Sequence, residues 1–185
     1  STSCVRAEHR FQLKLMVSIL MMLLTQLSFS QSIYFEDGIC KCPSANVGDT
    51  QTIGGIIYTV VDNSNLSTQL SNNNYNLCTT KVTIMRNSIS TNGDITFWDV
   101  SNVTDMRSLF KYSNSFNQDI SGWDVSSVTN MERMFADTGA FNQDISGWDV
   151  SSVTNMKFMF KSASAFNQDI SSWDFRSVLF FDNFL

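Results

Sequence analysis

Large apolar residues return every 25 positions along the second half of the chain. Trp98, Trp123, Trp148 and Trp173 keep this spacing, as do Met106, Met131 and Met156, Phe116, Phe141 and Phe166, and Phe110, Phe135 and Phe160. The polar positions between them are almost as regular: residues 123–147 read WDVSSVTNMERMFADTGAFNQDISG, and the next unit opens WDVSSVTNMKFMF and closes FNQDISS. Full units span 98–122, 123–147 and 148–172, with a shortened unit at 82–97 and a partial one at 173–185. A period of this length is the signature of a stacked repeat, because a single unit cannot bury its own apolar face. Within a unit, Trp123 and Val125 stand two apart, the spacing of inward side chains on a short strand. Met131, Met134 and Phe135 fall at i, i+3 and i+4, one face of a short helix, and Thr129 with Glu132 matches a capping box. The pattern therefore predicts stacked units, each with a parallel strand and a short helix.

The first part of the chain follows a different pattern. Arg10 and Lys14 precede an apolar run from Leu15 to Leu27, and small residues follow at Ser28 and Ser30. That order reads as a signal peptide over residues 1–30, cleaved after Ser30. The run is shorter than the roughly 20 residues a spanning helix needs, so no membrane span is expected after cleavage. Residues 31–81 are not repetitive and read as an amino-terminal cap on the repeats at 82–185. Thr52–Val61 is β-branched and apolar around Gly54-Gly55, which predicts a strand or hairpin. Asp62–Asn76 is rich in Asn and Ser and reads as a loop, with Leu66 and Leu70 spaced for a short helix.

Composition narrows the chemistry. The net charge is −5 over the whole chain, and residues 31–185 hold 9 basic and 16 acidic residues, a net −7. No basic stripe is present for phosphate neutralisation, so nucleic acid is not an expected partner. The only histidine, His9, lies in the leader, which leaves no histidine for a catalytic dyad or an imidazole metal site. No enzyme activity, cofactor or metal is expected, and the Met and Phe columns read as core rather than as ligands. Cys40, Cys42 and Cys78 remain after cleavage, an odd number. Cys40 and Cys42 are too close to pair with each other, so the candidate disulfide joins Cys42, or alternatively Cys40, to Cys78 and closes a loop worth about 4 kcal/mol. Asp99, Asp124, Asp149 and Asp174 each follow a repeat tryptophan and form the candidate ligand column. Asp119, Asp144 and Asp169 form a second column. The rival reading of both columns is that each Asp accepts hydrogen bonds from backbone N–H groups or Ser two residues on.

The unit Trp-Asp-Val-Ser-Ser-Val-Thr-Asn-Met, then Met-Phe, then Ala-Phe-Asn-Gln-Asp-Ile-Ser, resembles the repeat of the BspA-like leucine-rich repeat surface proteins over about residues 82–178. Residues 31–80 also look like the leader region of bacterial members at Ile39-Cys-Lys-Cys-Pro43, Gly54–Val61 and Asn76-Leu-Cys78. The resemblance implies export, adhesion or protein binding, and an α/β fold: a leucine-rich-repeat-like solenoid of short parallel strands and short helices, preceded by a small β-containing cap. The expected protein is secreted or held at a bacterial cell surface, monomeric, and binds an extracellular protein or glycan. The alternative is a structural spacer, or a truncated relative with no ligand of its own. The fourth unit departs from the family pattern, replacing Thr-Asn-Met with Leu179-Phe-Phe181.

Overall fold

Among the described residues, regular strands form only at 34–81, where two-residue turns reverse the chain between β-branched or aromatic segments. The structure is a computed structural model that describes residues 32–86 and 93–185. Ile33–Leu185 forms one compact unit. The signal-peptide expectation falls on residues 1–30, outside the described residues.

Strand β1 (Tyr34–Glu36) pairs antiparallel with β2 (Ile39–Lys41) across Asp37-Gly38. Strand β3 (Thr50–Ile53) pairs antiparallel with β4 (Ile56–Asp62) across Gly54-Gly55. Gly54 and Gly55 have φ of 60° and 85°, the doubly left-handed geometry of a two-residue hairpin that follows the strand twist. Helix α1 (Leu66–Ser71) then carries the chain over to β5 (Leu77–Lys81), which lies parallel to β4 with Val60 opposite Cys78. The order in the larger sheet is β3-β4-β5.

The repeats are built differently from the sequence expectation, and the α/β leucine-rich-repeat solenoid is not what forms. Regular structure among the described residues is mostly β, in two small sheets, with α1 as the one helix, and all of it precedes the repeats. Instead of parallel strands at the Trp–Val positions, the units share single-residue parallel bridges further along: Ile84 with Asp105, Asp105 with Asn130, Asn130 with Asn155, and Asn155 with Phe180. Trp123 and Val125 are buried but lie outside any strand. The expected helix around Met131–Phe135 is a run of turns. Thr129 does not cap a helix; its N–H and its Oγ1 both donate to the Thr104 carbonyl, at 2.9 and 3.1 Å. An i, i+3, i+4 spacing buries one face in a turn run as well as in a helix, so the apolar pattern alone did not separate them.

Backbone hydrogen bonds hold successive units together. Met106, Ser108, Phe110 and Tyr112 donate their N–H groups to the carbonyls of Asn130, Glu132, Met134 and Ala136 at 2.9–3.1 Å. Met131, Arg133, Phe135 and Asp137 do the same to Asn155, Lys157, Met159 and Lys161. The intervening N–H groups of Leu109, Lys111 and Ser113 turn back to carbonyls three residues earlier in the same unit. Holding alternate N–H groups in one direction needs left-handed residues, and Ser108, Arg133, Phe158 and Asn183 all sit at φ of 48–59°. An L-residue pays of order 1–2 kcal/mol for that conformation, so the strain is repeated in every unit and offset by the bonds between units.

Inside this frame the aromatic rings form columns. Phe110, Phe135 and Phe160 follow one another at centroid spacings of 5.5 and 5.4 Å, and Phe116, Phe141 and Phe166 at 5.8 and 6.0 Å. Phe135 also stacks on Phe141 at 4.0 Å. Trp98, Trp123, Trp148 and Trp173 are all buried, as are Met106, Met131 and Met156. Phe116 and Phe141 are buried too, while Phe166 is only partly so and packs on the core from its margin. The indole N–H groups of Trp148 and Trp173 reach the Ile120 and Ile145 carbonyls at 3.1 and 3.0 Å.

The first unit meets the cap through Tyr75, whose carbonyl accepts the Trp98 indole N–H at 3.0 Å. A Cβ on Gly93 would come within 2.3 Å of the Tyr75 ring, which explains why glycine stands where later units carry the Gln of Asn-Gln-Asp. Restoring the repeat consensus with Gly93→Gln is therefore expected to destabilise the protein by about 1–3 kcal/mol in urea unfolding, the usual cost of overpacking. In the same measurement Phe135→Ala should cost about 3–5 kcal/mol, whereas exposed Tyr112→Ala should stay within about 0.5 kcal/mol. Equal losses at 112 and 135 would contradict the aromatic columns as the core.

Candidate functional site

Aspartate opens a turn at several corners of each unit. Asp124 Oδ1 accepts the Ser126 N–H at 3.1 Å and its hydroxyl at 2.6 Å, and Asp149 Oδ1 accepts the Ser151 N–H at 3.0 Å. Asp174 accepts the Arg176 N–H and is gripped by its guanidinium, with Nη2 to Oδ2 at 2.6 Å. The second column behaves the same way: Asp119, Asp144 and Asp169 accept the N–H groups of Ser121, Ser146 and Ser171 at 2.9–3.0 Å. These are Asx turns, in which a carboxylate takes the place of a backbone carbonyl. The amides complete the corners. Asn117 Oδ1 accepts the Asn142 N–H and the Gln143 amide, and Asn142 Oδ1 accepts the Asn167 N–H and the Gln168 amide, at 2.9–3.0 Å.

The four aspartates of the candidate ligand column do not share one environment. Asp124 and Asp149 are exposed and Asp174 is half-buried, but Asp99 is only 2% exposed. Asp99 Oδ1 takes the Lys41 ammonium at 3.0 Å and the Ser101 hydroxyl at 2.7 Å, which ties the first unit to β2. Burial pushes its carboxyl upward, but hydrogen bonds from Thr80, Ser101 and Lys41 outweigh that and hold it below the ordinary range. The expected column of four outward carboxylates is thus corrected at its first position. No spacing or motif in the sequence links Lys41 to Asp99, and this pair was not anticipated.

A different surface carries the variation between units. Positions 107, 132 and 157 hold Arg, Glu and Lys; 108, 133 and 158 hold Ser, Arg and Phe; 112, 137 and 162 hold Tyr, Asp and Ser. All lie in the bridged segments that donate hydrogen bonds from unit to unit. Arg107 forks onto Asp105 with Nη2 to Oδ2 at 2.7 Å, and Arg86 reaches the same carboxylate at 3.5 Å. Burial raises Asp105, but the Arg107 bonds win and hold it below the usual carboxylate range. Arg133 pairs with Glu132 and lies 4.7 Å from the centre of the Phe158 ring, with Lys161 5.6 Å from the same ring. Lys157 pairs with Asp182 at 2.8 Å and sits 5.3 Å from the Phe180 ring. Every basic residue from 82 onward except Arg176 belongs to these segments, namely Arg86, Arg107, Lys111, Arg133, Lys157 and Lys161. The signal for this face was the change from Arg to Glu to Lys at one repeat position.

The cysteines fall together. Cys40, Cys42 and Cys78 are unbonded thiols, fully buried with Ile33, Ala45, Tyr58 and Val60 in a small core beside the main one. Among the described residues no group of three or more His, Cys, Asp or Glu is placed to hold a metal ion, and no helix is long and apolar enough to cross a membrane.

Residues 80–185 match the family model described as Mycoplasma protein of unknown function, DUF285. The match covers more than half of the chain, which belongs to that family. No curated protein and no solved structure matches it.

The turn aspartates make stability acid-sensitive. The Ser121 and Ser146 hydroxyls and N–H groups lower Asp119 and Asp144, the Ser171 N–H and hydroxyl lower Asp169, and Arg176 holds Asp174 at about 2. An unfolded Asp titrates near 3.9, so this stabilisation is complete above about pH 4 and is lost as pH falls through the lower folded values. Urea midpoints measured from pH 6 to pH 2 should decline below about pH 4. The double substitution Asp144→Asn, Asp169→Asn keeps the turn acceptor and should flatten the decline. An unchanged slope would show that these carboxylates are not what acid removes.

Proposed function

We propose that the protein is an exported, surface-exposed relative of the BspA-like repeat proteins whose bridged segments form a binding face, and that it works by binding rather than by catalysis. The observation that supports this most directly is the division of labour within each unit. The Trp-Asp-Val-Ser-Ser-Val-Thr and Phe-Asn-Gln-Asp-Ile-Ser stretches recur nearly unchanged and are occupied with core, turns and amide bonds. The side chains at 107–108, 132–133 and 157–158 change from unit to unit, are partly exposed, and lie next to one another because the backbone ladder joins them. A stack that repeats its frame and varies one face is suited to recognition over an extended surface. Six cations and several aromatic rings gather there against the carboxylates Asp105, Glu132, Asp137 and Asp182, which favours an acidic extracellular protein or glycan as the partner.

The spacer reading draws on one observation: Arg107, Arg133 and Lys157 already have carboxylate partners within the chain. Capture by immobilised sulfated glycan, neutral glycan and acidic protein separates the two. Capture by an acidic ligand should fall at least about tenfold, a loss of about 1.4 kcal/mol, when Arg107, Arg133 and Lys157 are all changed to Glu. Asp124→Asn with Asp149→Asn should leave it unchanged. Capture lost in the Asp pair and kept in the Glu triple would move the site to the turn column, and no capture by any version would leave the spacer.

A further inference from the structure

Strand β2 and its continuation lie against β5, and this contact brings three sulfurs into one dry pocket. Cys78 Sγ donates to the Cys40 carbonyl at 3.3 Å and lies 3.9 Å from Thr80 Oγ1. The Cys42 N–H donates to that same Thr80 Oγ1 at 3.1 Å. Thr80 Oγ1 is thus shared, taking the Cys42 N–H and facing Cys78 Sγ, and both thiols are buried in the same small core.

We propose that Cys42 and Cys78 form a disulfide that clamps the segment after β2 to β5. The pairing is chosen by the backbone. Cys40 lies within β2, opposite Phe35 in the ladder, and its N–H is fixed to the Phe97 carbonyl at 2.8 Å. Cys42 follows the end of that strand, outside the β1–β2 ladder that holds Cys40, and its N–H shares Thr80 Oγ1 with Cys78. The bond encloses β3, β4 and α1, and Cys40 remains a buried thiol beside it.

The oxidant is another disulfide, either a small-molecule one such as oxidised glutathione or that of a thiol oxidoreductase. The Cys42 thiolate attacks one sulfur of that disulfide, and the other leaves as a thiolate that takes up a proton. The Cys78 thiolate then attacks Cys42 Sγ in the mixed disulfide and expels the second thiolate. Two protein thiols are oxidised and one external disulfide is reduced to two thiols. Hydrogen bonding to Cys78, then burial, push Cys42 far above the usual thiol range; hydrogen bonding to Cys40 and burial push Cys78 up to about 12. Both thiols are also closed off from an external disulfide in the folded protein, so the bond closes more readily while the chain is still folding. In the cell the inference rests on the exported reading for its oxidant, but the pairing itself does not.

The test needs no binding partner, so its failure is distinct from a failure of the binding face. The full chain is refolded from denaturant in a mixture of reduced and oxidised glutathione, alkylated, digested and mapped by mass. The expected product joins Cys42 to Cys78, and its melting temperature falls by on the order of 10 °C on reduction. Cys42→Ser and Cys78→Ser should each remove this reduction-dependent shift, and Cys40→Ser should keep it. Reduced protein that is folded first and then exposed to the same mixture should oxidise far more slowly. A free Cys78 after oxidative refolding, Cys78 joined to any cysteine other than Cys42, or a melting temperature indifferent to reduction would each overturn the clamp.

Discussion

A hydrogen bond that crosses from one unit to the next at a fixed sequence offset sets the terms for everything else in the repeats. Alternate N–H groups in one segment of each unit point the same way, into the carbonyls of the unit that follows. Just before the bridge residues the direction reverses: Thr104, Thr129 and Thr154 each donate an N–H and an Oγ1 hydrogen back to the same carbonyl of the preceding threonine. Opposed rows of this kind fix both spacing and register, so identical side chains must stack on identical side chains. The aromatic columns follow from that, and so does the tolerance of left-handed backbone at residues as unlike as Ser108, Arg133 and Phe158. A conformation that would cost an isolated loop is held because several bonds on each side specify it.

Such a stack has a polarity and needs a starting surface. The cap supplies one. Strand β5 runs directly into Val82 and Ile84, and Ile84 makes the first bridge. Asn63 Oδ1 accepts the N–H groups of Thr83 and Ile84 at 2.9 and 3.1 Å, which would otherwise lie bare at the leading edge. Lys41 neutralises Asp99, and Tyr75 occupies space that a longer side chain fills in later units. Removing one member of a buried ion pair is more costly than never having built it. A repeat aspartate that became buried at the cap junction therefore needed a partner from outside the repeats, and Lys41 fills that role.

The register was legible in the sequence because a 25-residue period in Trp, Met and Phe specifies which residues align without any assumption about secondary structure. The hairpin at Gly54-Gly55 was legible for the same local reason, since paired glycines meet a demand that few other residues can. The path of the backbone between aligned residues was not legible. A helix turn and a run of tight turns bury the same apolar positions, and the left-handed residues that distinguish them are Ser, Arg, Phe and Asn rather than Gly, so they left no signal. The Asx turns could be weighed as an alternative because Asp with Ser two residues on is a local motif. The burial of Asp99 is a tertiary event at one end of the column, and a repeated sequence gives no hint that its first copy differs.

The same constraint decides where recognition has room to reside. A side chain that bonds to the neighbouring unit cannot change without disturbing two units, and Thr129, Asn142, Gln143 and the buried rings are committed in that way. The aspartates at the corners are exposed, but one oxygen of each is spent on its own turn. The ladder bonds at positions 132 and 157 run between main-chain atoms, with Glu132 adding a side-chain contact to the Asn155 amide and Lys157 one to Asp182. The side chains at 107, 132 and 157 differ in charge and size from unit to unit while the stack stays in register. A surface used for binding must be able to change its chemistry without unfolding its scaffold, and among the described residues this segment of each unit meets that requirement most fully.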